Sequence, residues 1–196
     1  MGSPRAQVVY TPLIGRVGFN TTGYGKSFKQ TVVPGATFLV WGSSGVSGPF
    51  HFWEVGITST GNLTLRPGIA APGQTWSQVS SSTFGIVGAR YTRSGSAGYF
   101  GHKGTFYKLF RFTSNGKTEY GWIELNQTVT TTTGPNVQIL AMAYDPSGGR
   151  LAAGSTGSGV PAPTPIPSTL GLGALGALAL GAVGLRLWRA GRNKAA

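Results

Sequence analysis

Tyr107-Lys108-Leu109-Phe110-Arg111-Phe112-Thr113-Ser114-Asn115-Gly116-Lys117-Thr118-Glu119-Tyr120-Gly121-Trp122-Ile123-Glu124-Leu125 reads as a β-hairpin. Side-chain character alternates along Tyr107–Phe112 and again along Tyr120–Leu125, the period of a strand with one buried face. Between them stands Ser114-Asn115-Gly116-Lys117, and Asn-Gly accepts the positive φ that a tight hairpin turn demands. Trp122 is expected in the core, beside a glycine that lets strands or rings pack close.

The same grammar extends outward. Apolar runs are short and punctuated by Gly, Pro, Asn and Ser, and helical periodicity is almost absent. Candidate strands are Val8–Ile14, Thr37–Trp41, Phe50–Ile57, Asn62–Leu65, Phe84–Thr92, Phe106–Thr113, Thr118–Leu125 and Val137–Tyr144. With 33 Gly, 5 Trp, 7 Tyr and 10 Phe in 196 residues, many short strands and frequent turn signals point to an all-β, antiparallel sandwich-like domain over residues 1–153. That length suffices for a proper core.

Little of the chain can do chemistry. His51, His102, Glu54, Glu119, Glu124 and Asp145 supply the acid–base and metal-binding groups, and there is no cysteine. Disulfides, thiol catalysis and cysteine-bound zinc are therefore excluded. Along a strand His51 and Trp53 share a face while Glu54 points away, so His51 and Glu54 are poorly placed for one ion. Glycoside hydrolysis needs two facing carboxylates, yet Glu119 and Glu124 differ by an odd number and fall on opposite faces. His102 lies in Gly98–Gly104, which reads as a loop. Gly25-Lys26-Ser27 reads as a turn rather than a phosphate loop. No catalytic, cofactor-binding or metal site is expected.

Trp41, Trp53, Trp76, Trp122, Tyr91, Tyr99 and Tyr107 suffice for a carbohydrate platform, against the plainer reading that these rings fill a core. The net charge is +12. Twelve basic and four acidic residues in the first 160 leave +8 there, which favours anionic partners such as acidic exopolysaccharide. The basic residues are spread along the chain, and no nucleic-acid-binding signature accompanies them.

The chain closes on a different composition. Gly154–Gly159 is a flexible Gly/Ser linker, and Pro161, Pro163, Pro165 and Pro167 at alternate positions favour an extended spacer. Thr169–Leu185 holds only Leu, Gly, Ala, Val and one Thr, about 26 Å as helix against a bilayer core of about 30 Å. Leu187 and Trp188 extend it if Arg186 snorkels. Arg186, Arg189, Arg192 and Lys194 follow, and the positive-inside rule then sets a cytoplasmic C-terminus. The expected organisation is an extracytoplasmic domain at 1–153, a linker at 154–167, a transmembrane helix at 168–188 and a basic tail at 189–196.

Pro165-Ile166-Pro167-Ser168-Thr169-Leu170, the apolar helix and the Arg-rich end together resemble a PEP-CTERM sorting signal, with Ile166 where that family usually has Glu. The likeness extends to Tyr107–Leu125, similar to a Y-x-G-F-x-F strand, turn and H-Y-G-W block of such proteins, and to Ala143-Tyr144-Asp145 before Leu151-Ala152-Ala153-Gly154. The resemblance implies a Gram-negative surface or matrix protein linked to exopolysaccharide and biofilm. It implies processing by an exosortase at a motif carried here by Pro165, Pro167, Ser168, Thr169 and Leu170. It implies an inner-membrane anchor first and cell-surface or extracellular release afterwards, with membrane lipid and the exosortase as partners.

An exported chain needs a signal peptide, and Met1–Gln7 has no such pattern; the expectation is a mature start near Ala6 or Gln7. The rival readings are a cytoplasmic tail-anchored protein, an acidic-polysaccharide-binding module and a glycan-active hydrolase.

Overall fold

The computed structural model describes residues 7–19, 25–77, 80–93, 96–129 and 134–157, and among these the ordered elements are all strands. In chain order they are β1 (Val9–Val17), β2 (Ser27–Val33), β3 (Ala36–Ser47), β4 (Phe50–Gly61), β5 (Thr64–Leu65), β6 (Phe84–Arg93), β7 (Ser96–Gly101), β8 (Gly104–Ser114), β9 (Lys117–Val129) and β10 (Pro135–Asp145). They form two five-stranded antiparallel sheets, β1-β10-β9-β8-β5 and β2-β3-β4-β6-β7.

The β8–β9 turn follows its chemistry. Asn115 has φ 51° and Gly116 φ 72°, the double positive φ of a tight hairpin. Ser114 therefore pairs with Lys117, and the register runs unbroken to Gly104 opposite Gln127. The eight expected strands all appear, mostly longer than expected. Two more, β2 and β7, are additions. β7 overturns the loop reading of Gly98–Gly101, while His102 lies just outside it.

Period-2 alternation directs Phe38, Val40, Val55 and Ile57 of the second sheet, and Phe106, Phe110, Ile123 and Leu125 of the first, into one shared core. Each such side chain contributes roughly 1.5–3 kcal/mol by leaving water. The outward face of the first sheet is buried as well. Tyr107, Leu109, Trp122, Ala141 and Ala143 pack under Ala70 and Trp76 from the β5–β6 connection and under Leu151 and Ala153 after β10. Ala70 and Tyr107 exchange backbone hydrogen bonds of 2.8 and 3.1 Å, Ala153 N–H donates to Gln74 O at 2.8 Å, and Gly73 N–H donates to Ala153 O at 2.9 Å. The Trp122 indole N–H donates to Ser155 O at 2.9 Å, giving a fully buried indole the partner it needs. Packing thus reaches Ser155. Among the described residues no helix is long and apolar enough to cross a membrane.

Candidate functional site

The sorting motif (Pro165, Pro167, Ser168, Thr169, Leu170) and the topology signal (Arg186, Arg189, Arg192, Lys194) lie outside the described residues, as does the apolar segment 168–188. The site chemistry that the structure describes belongs to the sandwich.

Its four carboxylates are dispersed. Glu119 is buried on the inner face opposite Phe112. Glu124 is buried on the outer face of the first sheet, where the Tyr107 hydroxyl donates to it at 3.4 Å. The odd spacing thus has the consequence expected of it. Burial raises the pKa of both, with Lys117 pulling Glu119 down and Asp145 pushing it up, and with Tyr107 opposing the rise at Glu124. Burial, then Glu124, pushes the Tyr107 phenol up to about 12. Asp145 accepts the Ser147 N–H at 2.7 Å and so closes the turn after β10. Glu54 stands alone on the outer face of the second sheet, in register with Ser43 and Ala89.

The histidines are equally separate. His51 stacks 6.4 Å from Trp53, on whose ring the Arg90 guanidinium also sits at 5.1 Å. His102 meets Phe106 edge-on at 5.4 Å. Among the described residues no three His, Asp or Glu side chains converge on a metal position.

An open cleft of about 440 Å³ lies where the β5–β6 connection meets β6 and β7, bordered by Gly68, Ile69, Ile86, Val87, Tyr99 and His102. It has no carboxylate in its lining. Behind its wall Lys108, 2% exposed, donates to Gly68 O at 2.6 Å. Burial, and next the charge of Arg66, lowers this ammonium to about 8. Tyr99 accepts from the Gln127 amide and donates to His102 O at 3.3 Å. Burial raises its phenol, partly offset by Gln127. Sequence reasoning passed over Lys108, although its shared parity with Phe110 and Phe112 is a signal that finds it.

The aromatic residues divide. Trp76, Tyr107 and Trp122 are buried beneath the cover of the first sheet. Trp41 and Tyr91 lie on the outer face of the second, which the described residues leave uncovered, and Trp53 and Tyr99 are half-buried. On that face ring atoms stand over glycines of neighbouring strands. The benzo ring of Trp41 covers Gly56, the phenol of Tyr91 covers Gly98, and Phe52 covers Gly45, where an added Cβ would stand 2.8 Å from the ring. Trp41 continues into Phe84, stacked at 5.8 Å with 24° between planes.

No family model matches the chain, and no curated protein or solved structure matches it either.

Proposed function

We propose that this is an exported, non-catalytic surface or matrix protein of a Gram-negative cell, delivered by processing of its C-terminal segment. The observation that carries the reading is the order in which the sequence supplies its parts. A β-sandwich packed through Ser155 is followed by a Gly/Ser linker, alternating prolines, Pro165–Leu170, an uncharged apolar run and a basic end. An apolar run followed by cations suits a bilayer, and the extended spacer before it suits presentation of a short peptide to a membrane-embedded transpeptidase. The dispersal of Glu54, Glu119, Glu124 and Asp145 supports a role without hydrolysis, since no facing pair borders the cleft.

The test is expression in a host that carries an exosortase. Deleting residues 165–170 is expected to leave the protein in the membrane at unprocessed mass, and Ile166→Glu is expected to process at least as well as the parent. Unchanged processing of the deletion would refute the assignment. Protease protection of the sandwich in intact spheroplasts would instead favour the tail-anchored topology.

A further inference from the structure

We infer that the bare outer face of the second sheet is a binding surface for an acidic polysaccharide, a chain of uronate sugars lying across two aromatic strips. The register builds the strips. In one row Gly45, Phe52, Tyr91 and Gly98 are successive cross-strand partners on β3, β4, β6 and β7. Phe52 spreads over Gly45 and Tyr91 spreads over Gly98, so two rings tile four strands, about 14 Å across. In the second strip Trp41 lies over Gly56 and stacks on Phe84. Phe52 and Gly56 are four residues apart on β4, so the strips lie about 13 Å apart along the strand.

A ring seated over a glycine has no side chain beneath it and leaves its far side to solvent. The π-face is the negative pole of the ring quadrupole. It suits the C–H face of a pyranose, whose hydrogens carry partial positive charge. Between the strips runs the row Ser43, Glu54 and Ala89, whose one hydroxyl and one carboxylate are placed to meet sugar hydroxyls. Phe84 and Tyr91 are 47% and 46% exposed, and Phe50 is 37% exposed under the Arg93 guanidinium at 5.1 Å. These are three of the four most exposed aromatic side chains among the described residues.

Charge selects the acidic class of glycan. Glu119 and Glu124 are buried, which leaves Glu54 and Asp145 as the carboxylates that solvent sees. Lys26, Lys29, Lys103, Arg93, Lys117 and Arg150 are exposed. Lys29 borders the Trp41 strip on β2 and Arg93 borders the Phe52 strip on β6. Such a field draws a polyanion and weakens with salt. Glu54, on the face itself, opposes a uronate, and this distinguishes an acidic from a neutral ligand.

The inference rests on surface display only for where such a chain is met; binding in vitro is read independently of processing, so either reading can fail alone. The test uses the full-length protein in detergent and immobilised polygalacturonate, with dextran and single-stranded oligo-dT as comparators. Expected are salt-sensitive retention on polygalacturonate, little on dextran, and tighter retention for Glu54→Gln. Tyr91→Ala and Trp41→Ala together are expected to weaken binding about tenfold. Should Trp41→Ala disturb the sheet, Tyr91→Ala with Phe84→Ala tests the same surface, folding being checked by circular dichroism. Binding that survives loss of the rings overturns the proposal. So does oligo-dT retention with the same ring dependence, or ring variants whose only effect is to dissolve a self-associated form.

Discussion

The two sheets contribute alike to the shared core but treat their outer faces in opposite ways. The first sheet carries Tyr107, Leu109 and Trp122 outward and then covers them with Ala70, Trp76, Leu151 and Ala153. The second carries Trp41, Phe52, Phe84 and Tyr91 outward and, among the described residues, leaves them to solvent, each ring lowered onto a glycine or stacked on another ring. The lesson is that exposed apolar area can be managed without a cover. A ring seated over glycine shields backbone and loses part of its own surface from water, so it behaves as half-buried while keeping the rest for a partner.

The comparison breaks first at Trp122. Trp122→Ala empties a fully buried site and orphans the Ser155 carbonyl, and is expected to cost about 3–5 kcal/mol in urea denaturation. A loss below about 1 kcal/mol would mean that the cover is not a second core. The covered face should also be sensitive to alkali. Tyr107 holds its proton in the fold up to about 12, against the ordinary value of 10.0. The folded state therefore binds the proton that the unfolded chain has released. This contribution is fully present below pH 10 and is lost as pH rises toward 12, an effect of about 2–3 kcal/mol. Tyr107→Phe should flatten that decline, and an unaltered alkaline limb in the variant would refute the assignment. Gly56→Ala on the bare face drives Trp41 off its seat. The expected cost is about 1–2 kcal/mol with a shift of tryptophan fluorescence toward solvent. Phe84→Ala, at the exposed end of the same stack, should cost below about 1 kcal/mol; a loss as large as that at Trp122 would make the bare face structural rather than presentational.

Most of the architecture was legible where side chains alternate. Tyr107–Phe112 and Tyr120–Leu125 announce themselves through their alternating apolar residues and a turn that Asn-Gly makes cheaply, although both faces of these strands are buried. β2 and β7 did not, because both are edge strands of the second sheet. In Ser27-Phe28-Lys29-Gln30-Thr31 one side is exposed and the other only half-buried, and β7 carries Gly98, which the Tyr91 ring covers. The cover over the first sheet was illegible for another reason: Pro67–Trp76 and Leu151–Ser155 follow no period, and they pack through backbone hydrogen bonds to a surface set elsewhere in the chain. The ring-on-glycine strips need the register. Gly56 and Trp41 read as unrelated residues until β3 and β4 align them as partners. The odd spacing of Glu119 and Glu124, by contrast, sufficed to separate them.

The pairing of β1 with β10, Val9 opposite Tyr144 and Val17 opposite Val137, sets the timetable of assembly. The first strand to appear must wait for the last before its edge is satisfied, and the residues that seal Trp122 emerge later still. Closing so long a loop is entropically slow. Until Ser155 has been synthesised, the growing chain therefore holds an open sheet edge and an uncovered Trp122 face.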